Sequence, residues 1–236
     1  MTRIAILGPG KVGTAVARAA LRAGHDVTLA GPGEADDISL LVDVMAPGAQ
    51  VATARAAVEG GDLVIVTIPI RKYRSLDPDL LAGRVVVDAM NYWTPTDGDL
   101  ADFSDPFTGT SEVIAKHLRG ARVVKTLNHI GYHELESDGR APGAPDRRAL
   151  GVASDSPDAA AIVASVVESM GFDVVAMGSL ELGRLLEPGS RIFAGAVSAD
   201  EIHHELDAAN DPSSSYEEVF AVETGHPQTT GARRDR

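Results

Sequence analysis

The sequence predicts an α/β fold with a doubly wound, mostly parallel sheet, on three observations. A short apolar strand, residues 3–8, runs directly into a glycine-rich turn and then an alanine-rich helix. Continuous β-branched runs recur at 62–69, 84–90 and 121–128, the pattern of strands covered on both faces. Helical patterns alternate with the strands, which demands right-handed crossovers and a sheet of the Rossmann type.

The first strand is "RIAILG" (3–8), and "VGTAVARAALRAG" (12–24) is the first helix, closed by Gly24 as a C′ residue. "DVTLA" (26–30) is the second strand; "DISLLVDVMAPG" (37–48) repeats apolar residues at helical spacing until Pro47-Gly48 stops it. "DLVIVTIP" (62–69), "RVVVDAM" (84–90) and "ARVVKTLN" (121–128) are buried strands. "HELESDGRAPGAPDRR" (133–148) is polar, rich in Gly and Pro, and reads as loop. A small strand–helix–strand extension follows: "ALGVAS" (149–154), "SPDAAAIVASVVESMG" (156–171) and "FDVVAMG" (172–178). Ser156-Pro157-Asp158 starts its helix with Pro at N1 and an acid in the first turn. "SLELGRLLEP" (179–188) reads as a helix stopped by proline, and "AVSADEIHHELDAA" (196–209), with His203, His204 and Glu205, as a surface or dimer-packing helix. The expected organisation is one domain over 1–128, a loop and C-terminal α/β extension over 129–205, and a polar, poorly ordered tail over 206–236.

Composition narrows the function classes. At 236 residues, 44% of them hydrophobic, the chain can bury a real core. A net charge of −13 argues against a nucleic-acid partner, whose phosphates demand a basic footprint. There is no cysteine, hence no disulfide, thiol nucleophile or thiolate metal site. No apolar run approaches the roughly 20 residues of a membrane span, and no signal peptide stands before the first strand. The expectation is a cytoplasmic homodimer acting on a small molecule, with no membrane partner.

Gly8-Pro9-Gly10-Lys11-Val12-Gly13 is the strongest motif. A lone GxGxxG is weak, but here it follows a strand and opens a helix, the context of a dinucleotide-binding turn. Gly8 permits the tight turn, Gly10 lets the backbone approach a pyrophosphate, and Gly13 lets helix and strand pack closely. The helix N-terminus adds partial positive charge. This makes 1–128 a dinucleotide-binding domain. In such a sheet the ligand lies across the carboxyl ends of the strands. Those ends offer Thr67, Ile68 and Pro69, then Ala89 and Asn91, then Asn128 and His129. Asn91 and Asn128 fall where a nicotinamide and its partner would meet, although loop asparagines often serve only as turn formers.

Together "ILGPGKVGTAVARAALRAGHDVTLAG", "GGDLVIVTIP", "RVVVDAMN", "ARVVKTLN" and "ESMGFDVVAMGSLELGRLLEP" resemble the coenzyme F420-dependent NADP oxidoreductase family over residues 3 to 190. The resemblance implies hydride transfer between NADPH and a deazaflavin, coenzyme F420, stacked on the nicotinamide. Such chemistry needs positioning and no obligatory side-chain acid or base. No catalytic residue is therefore assigned; Asn128 and His133 are candidates. In the family the two positions after the second strand tend to be Ser/Thr and Arg, which read the 2′-phosphate. Here they fall on Gly31 and Pro32, so the phosphate clamp is missing and no NAD-type acid replaces it there. Glu34 could swing to a ribose hydroxyl, and Lys11 could reach a 2′-phosphate from another direction. NADP is expected on family grounds, with NAD the alternative.

"NHIGYHELE" (128–136) leaves the last parallel strand beside the expected nicotinamide. Asn128, His129 and His133 are read as substrate-side residues, with Tyr132 or His133 as a polar contact or proton source. His129 and His133 share four-residue spacing, but Gly131 breaks the helix that would align them, so no metal is expected. Arg71, Lys72 and Arg74 form a basic cluster at the crevice rim that could hold an anionic tail. The competing functions are a non-catalytic dinucleotide-binding or redox-sensing protein, and a reductase of a small carbonyl or imine. A 3-hydroxyacid dehydrogenase is rejected, because the residues after 178 are too few for its helical C-terminal domain.

Overall fold

The computed structural model describes residues 1–193, 195 and 198–211. Eight strands form one sheet: β1 (Arg3–Leu7), β2 (Asp26–Ala30), β3 (Gln50–Val51), β4 (Leu63–Val66), β5 (Val85–Asp88), β6 (Arg122–Lys125), β7 (Ala149–Ala153) and β8 (Asp173–Gly178). Their order is β3-β2-β1-β4-β5-β6-β7-β8, and every pairing is parallel except β6 with β7. The helices are α1 (Lys11–Arg22), α2 (Ser39–Met45), α3 (Ala54–Gly60), α4 (Pro78–Leu81), α5 (Thr94–Asp97), α6 (Thr110–His117), α7 (Glu134–Ser137), α8 (Pro157–Ser169) and α9 (Ala199–Asn210). This is the expected Rossmann-type doubly wound fold, with the change of winding between β1 and β4 placing a crevice at their carboxyl ends.

The central strands are buried along their length, which is why they read as unbroken apolar runs. On one face α1, α2 and α8 close a core containing Ile6, Val16, Leu29, Val124, Val163 and Phe172. On the other, α3 and α6 cover Leu7, Val58, Val66, Met90 and Leu118. A third cluster joins Val175, Met177, Leu186 and Ile202. Each fully buried Val, Ile or Leu side chain is worth about 1.5–3 kcal/mol.

The structure corrects several expectations. The segment 133–148 is not all loop: Leu135 N donates to Gly131 O at 2.9 Å and starts the short α7. Residues 180–186 wind as a 3₁₀ helix rather than an α-helix, and Gly183 packs against Lys125, where an added Cβ would stand 3.0 Å from the lysine Cβ. The helix carrying His203 and His204 lies on the surface as one of the two readings had it, with both histidines exposed and Ile202 buried against the third cluster of its own chain. That helix runs to Asn210, past the expected start of the tail; residues 212–236 of the tail lie outside the described residues. No helix among the described residues is long and apolar enough to cross a membrane.

Candidate functional site

The glycine turn has the geometry its sequence demands. Gly8 adopts φ 120°, and a Cβ there would stand 2.8 Å from the Thr67 carbonyl. A Cβ on Gly13 would overlap Gly8 O. Gly10, by contrast, faces open space, with nothing within 4 Å of the position a Cβ would take. Thr67, at the end of β4, donates its hydroxyl to Gly8 O at 2.8 Å and so pins the turn from below. Gly10, Lys11 and Val12 are exposed above it at the start of α1. An open backbone concavity at the N-terminus of a 12-residue helix fits a pyrophosphate. Ile68 is half-buried and Pro69 exposed beside it, on the carboxyl edge of β4.

The loop after β2 runs next to this turn. Pro9 Cγ lies 3.8 Å from where a Gly31 Cβ would be, and Ile38 Cγ2 lies 2.9 Å from it. Gly31 is therefore fixed as glycine by its neighbours. Pro32, Gly33, Glu34, Asp36 and Asp37 are exposed, and Glu34 N donates to Asp37 Oδ2 at 3.0 Å.

At the ends of β5 and β6 the two asparagines meet, but each other rather than open space. Asn91 Nδ2 donates to Asn128 O at 2.7 Å, and Asn128 Nδ2 donates to Asn91 Oδ1 at 3.0 Å and to Leu186 O at 2.5 Å. Asn128 is 4% exposed, so its expected role facing substrate is corrected: it locks the edge of the sheet to residues 180–186. Asn91 stays half-buried at the surface of that lock. Ala89 is buried, its amide donating to Val66 O at 3.2 Å, so it floors the crevice through its backbone. Leu127 turns the chain between Thr126 and Asn128 with φ 63°, a left-handed conformation that a branched residue adopts at a cost of about 1–2 kcal/mol.

His129 is also corrected. It is 1% exposed, with Nε2 accepting from Gly151 N at 3.1 Å and Nδ1 lying 3.3 Å from Asn128 Oδ1. These partners select the neutral tautomer protonated on Nδ1. Burial, reinforced by the Arg148 and Lys125 charges, holds its pKa down to about 3. It is a structural side chain bridging β6 and β7, not a substrate contact.

Beneath the asparagines lies a buried charge cluster that the sequence reading missed. Lys125 and Asp88 are both fully buried, with Nζ 3.4 Å from Asp88 Oδ2 and 2.6 Å from Met90 O, to which it donates. Ser111 Oγ donates to Asp88 Oδ2 at 2.6 Å, and Met90 N donates to Asp88 Oδ1 at 3.0 Å. Glu187 Oε1 accepts from Thr110 N and Thr110 Oγ1, both at 2.8 Å. Burial pushes the Glu187 carboxyl up, against the pull of the Lys125 charge. The available signal was a lysine inside a strand otherwise buried on both faces, which needs a partner to be tolerated.

The loop after β6 folds back over α1. Lys11 Nζ lies 5.7 Å from the Tyr132 ring centroid, and Tyr132 packs against the exposed His133 with centroids 4.2 Å apart. Arg18 pairs with Glu136 on α7. His133 therefore sits with Lys11 beside the glycine turn. At the rim of β4, Arg71 Nη1 is 3.8 Å from Asp97 Oδ1, Lys72 is exposed, and Arg74 is held by Asp102 at 2.8 Å. The exposed Trp93 immediately precedes α5, which carries Asp97, and its amide donates to Asp97 Oδ2 at 3.0 Å.

Residues 3–92 match the family described as NADP oxidoreductase, coenzyme F420-dependent. Over that segment the resemblance is shown. Among solved structures, hypothetical protein SMa0349 from Sinorhizobium meliloti is 25% identical, with a TM-score of 0.70 over 84% of this chain and 95% of its own. A protein of Arthrobacter sp. FB24, provisionally described as an F420-dependent NADP reductase, is 26% identical, with a TM-score of 0.62 over 76% of this chain and 86% of its own. The imine reductase of a Pseudomonas species shares the fold at 18% identity, with a TM-score of 0.55 over 88% of this chain and 62% of its own. No curated protein matches the sequence. The matched segment contains the glycine turn, the loop after β2, the β4 rim and Asn91; Asn128 and the Lys125 cluster's remaining members lie beyond it.

Proposed function

We propose that this protein is an NAD(P)-dependent oxidoreductase that moves hydride between the nicotinamide and a deazaflavin of the coenzyme F420 kind. One observation carries the reading: the open cradle above Gly10, framed by Gly8, Gly13 and Thr67, inside the segment that matches the F420-dependent family. When bound, the dinucleotide would supply hydride to a deazaflavin, chemistry that asks the protein to hold two planar rings in contact. The chain's own part is to bind and orient. The amides at the start of α1 would hold the pyrophosphate, and the paired Asn91 and Asn128 keep the ends of β5 and β6 rigid. Since those amides bond to each other, the sheet edge offers a positioned floor rather than an acid–base pair. Arg71 and Lys72 at the β4 rim supply positive charge for an anionic tail.

The test is turnover of the purified protein with a deazaflavin and each nicotinamide cofactor. Arg71→Glu with Lys72→Glu should raise KM for the deazaflavin several-fold and spare KM for the nicotinamide. The effect should shrink as salt rises, because both cations are solvent-exposed. A protein that binds a nicotinamide cofactor but neither binds nor reduces the deazaflavin would overturn the acceptor.

A further inference from the structure

We propose that the adenosine end of this site is built for the unphosphorylated cofactor, NAD(H), and excludes the 2′-phosphate of NADP(H). The inference rests on the dinucleotide reading of the Gly8–Gly13 turn and concerns the loop that follows β2.

The first support is steric. The positions that would carry phosphate-reading side chains are Gly31 and Pro32, and the fold leaves no room for a side chain at the first. Any side chain at 31 meets Ile38 Cγ2 at 2.9 Å, with Ile38 itself buried in the core beneath α1 and α2. A Cβ at Gly33 would overlap Asp37 Oδ2. Pro32 also removes a backbone N–H from the turn, so it offers an anion neither a side-chain nor a main-chain donor.

Charge points the same way. From Asp26 to Ala54 the chain has no Lys, Arg or His and five carboxylates: Asp26, Glu34, Asp36, Asp37 and Asp43. Glu34, Asp36 and Asp37 are exposed in the turn directly after Gly33, and the Glu34 amide fixes the Asp37 carboxylate over it. A phosphomonoester brings about −1.5 to −2 charges at neutral pH, which these exposed carboxylates would repel most at low salt. Two cations on α1 are directed elsewhere. Lys11 lies over Tyr132, and Arg18 bonds to the Met45 carbonyl and to Glu136. Glu34 stands 21 residues after Gly13, close to the spacing of about 20 at which an acid reads the ribose 2′-hydroxyl in NAD-binding turns. An acceptor for a hydroxyl proton is thus present where a donor for a phosphate is not.

Equilibrium titrations of the whole protein, following the fluorescence of NADH and NADPH, test this without turnover. NADH should bind at least tenfold more tightly than NADPH at low salt, with the gap narrowing as salt rises. ADP should likewise displace NADH better than 2′-phospho-ADP. Pro32→Arg with Glu34→Gln, both at exposed positions, should tighten NADPH by tenfold or more; Glu34→Gln alone should weaken NADH several-fold. NADPH binding as tightly as NADH in the unaltered protein would overturn the inference while leaving the dinucleotide reading intact. An NADH preference unmoved by both variants would overturn the assignment to this loop. Binding of neither cofactor would overturn the dinucleotide reading itself.

Discussion

At the scale of single residues, the three glycines of the turn separate cleanly into fold and function. Gly13 has no room for a methyl group, because Gly8 O occupies the space, so Gly13→Ala should destabilise the protein by about 1–3 kcal/mol through overpacking. Gly10 has nothing within 4 Å of its missing Cβ. Gly10→Val should therefore keep the thermal midpoint of the unaltered protein and lose nucleotide affinity; a variant that still binds NADH or NADPH normally would place the pyrophosphate elsewhere. His129 makes a different prediction. Its folded pKa near 3 lies below the unfolded value of about 6.5, so the unfolded chain takes the proton first. Stability is then lost as pH falls below about 6.5, amounting to roughly 2 kcal/mol from this residue at pH 5. His129→Gln, which cannot titrate, should flatten that part of the pH–stability curve in denaturant titrations. The sequence placed this histidine at the strand end correctly, but nothing in its spacing distinguishes a side chain turned inward to Gly151 N from one turned toward substrate.

At the scale of elements, what was legible followed from burial. β1, β4, β5 and β6 are mostly apolar and covered on both faces and read as strands, and α8 carried its own Ser-Pro-Asp start, with Ser156 Oγ accepting from Ala159 N at 3.3 Å. β3 is two residues long and α6 has a mixed face, so neither has enough periodicity to be read. The Lys125 cluster was illegible for another reason. Its members come from β5, β6, α6 and residue 187, and no local pattern connects them. The cluster holds the carboxyl edge of the sheet against α6 and the 3₁₀ segment. Lys125→Met removes the cation and leaves Asp88 buried without it, which should cost about 3–5 kcal/mol in chemical denaturation. Adding Asp88→Asn should restore part of that loss, since the uncompensated charge is then gone. A Lys125→Met protein of unchanged stability would mean the pair contributes nothing to holding this edge.

For the whole molecule, the sequence suggested a boundary near residue 128, and the structure ties both sides of it together. β7 and β8 extend the same sheet, and Ser154 Oγ donates to Val123 O at 2.7 Å across the β6–β7 junction. Ile6 and Val16 share one core with Val163 and Phe172, His25 Nε2 lies 2.8 Å from Ser169 Oγ, and Arg18 on α1 pairs with Glu136. The change in sequence texture after residue 128 marks a long connection across the molecule, not an independent unit. A fragment ending at residue 128 would expose the shared apolar face of α1 and leave Asn91 without Asn128's partner at Leu186. The full chain should therefore unfold in one transition, with calorimetric and van't Hoff enthalpies in agreement. The fragment 1–128 should lack the near-ultraviolet circular dichroism of a packed core and fail to bind NADH. A folded, nucleotide-binding fragment, or two separate transitions in the whole protein, would show that the glycine-turn half stands alone.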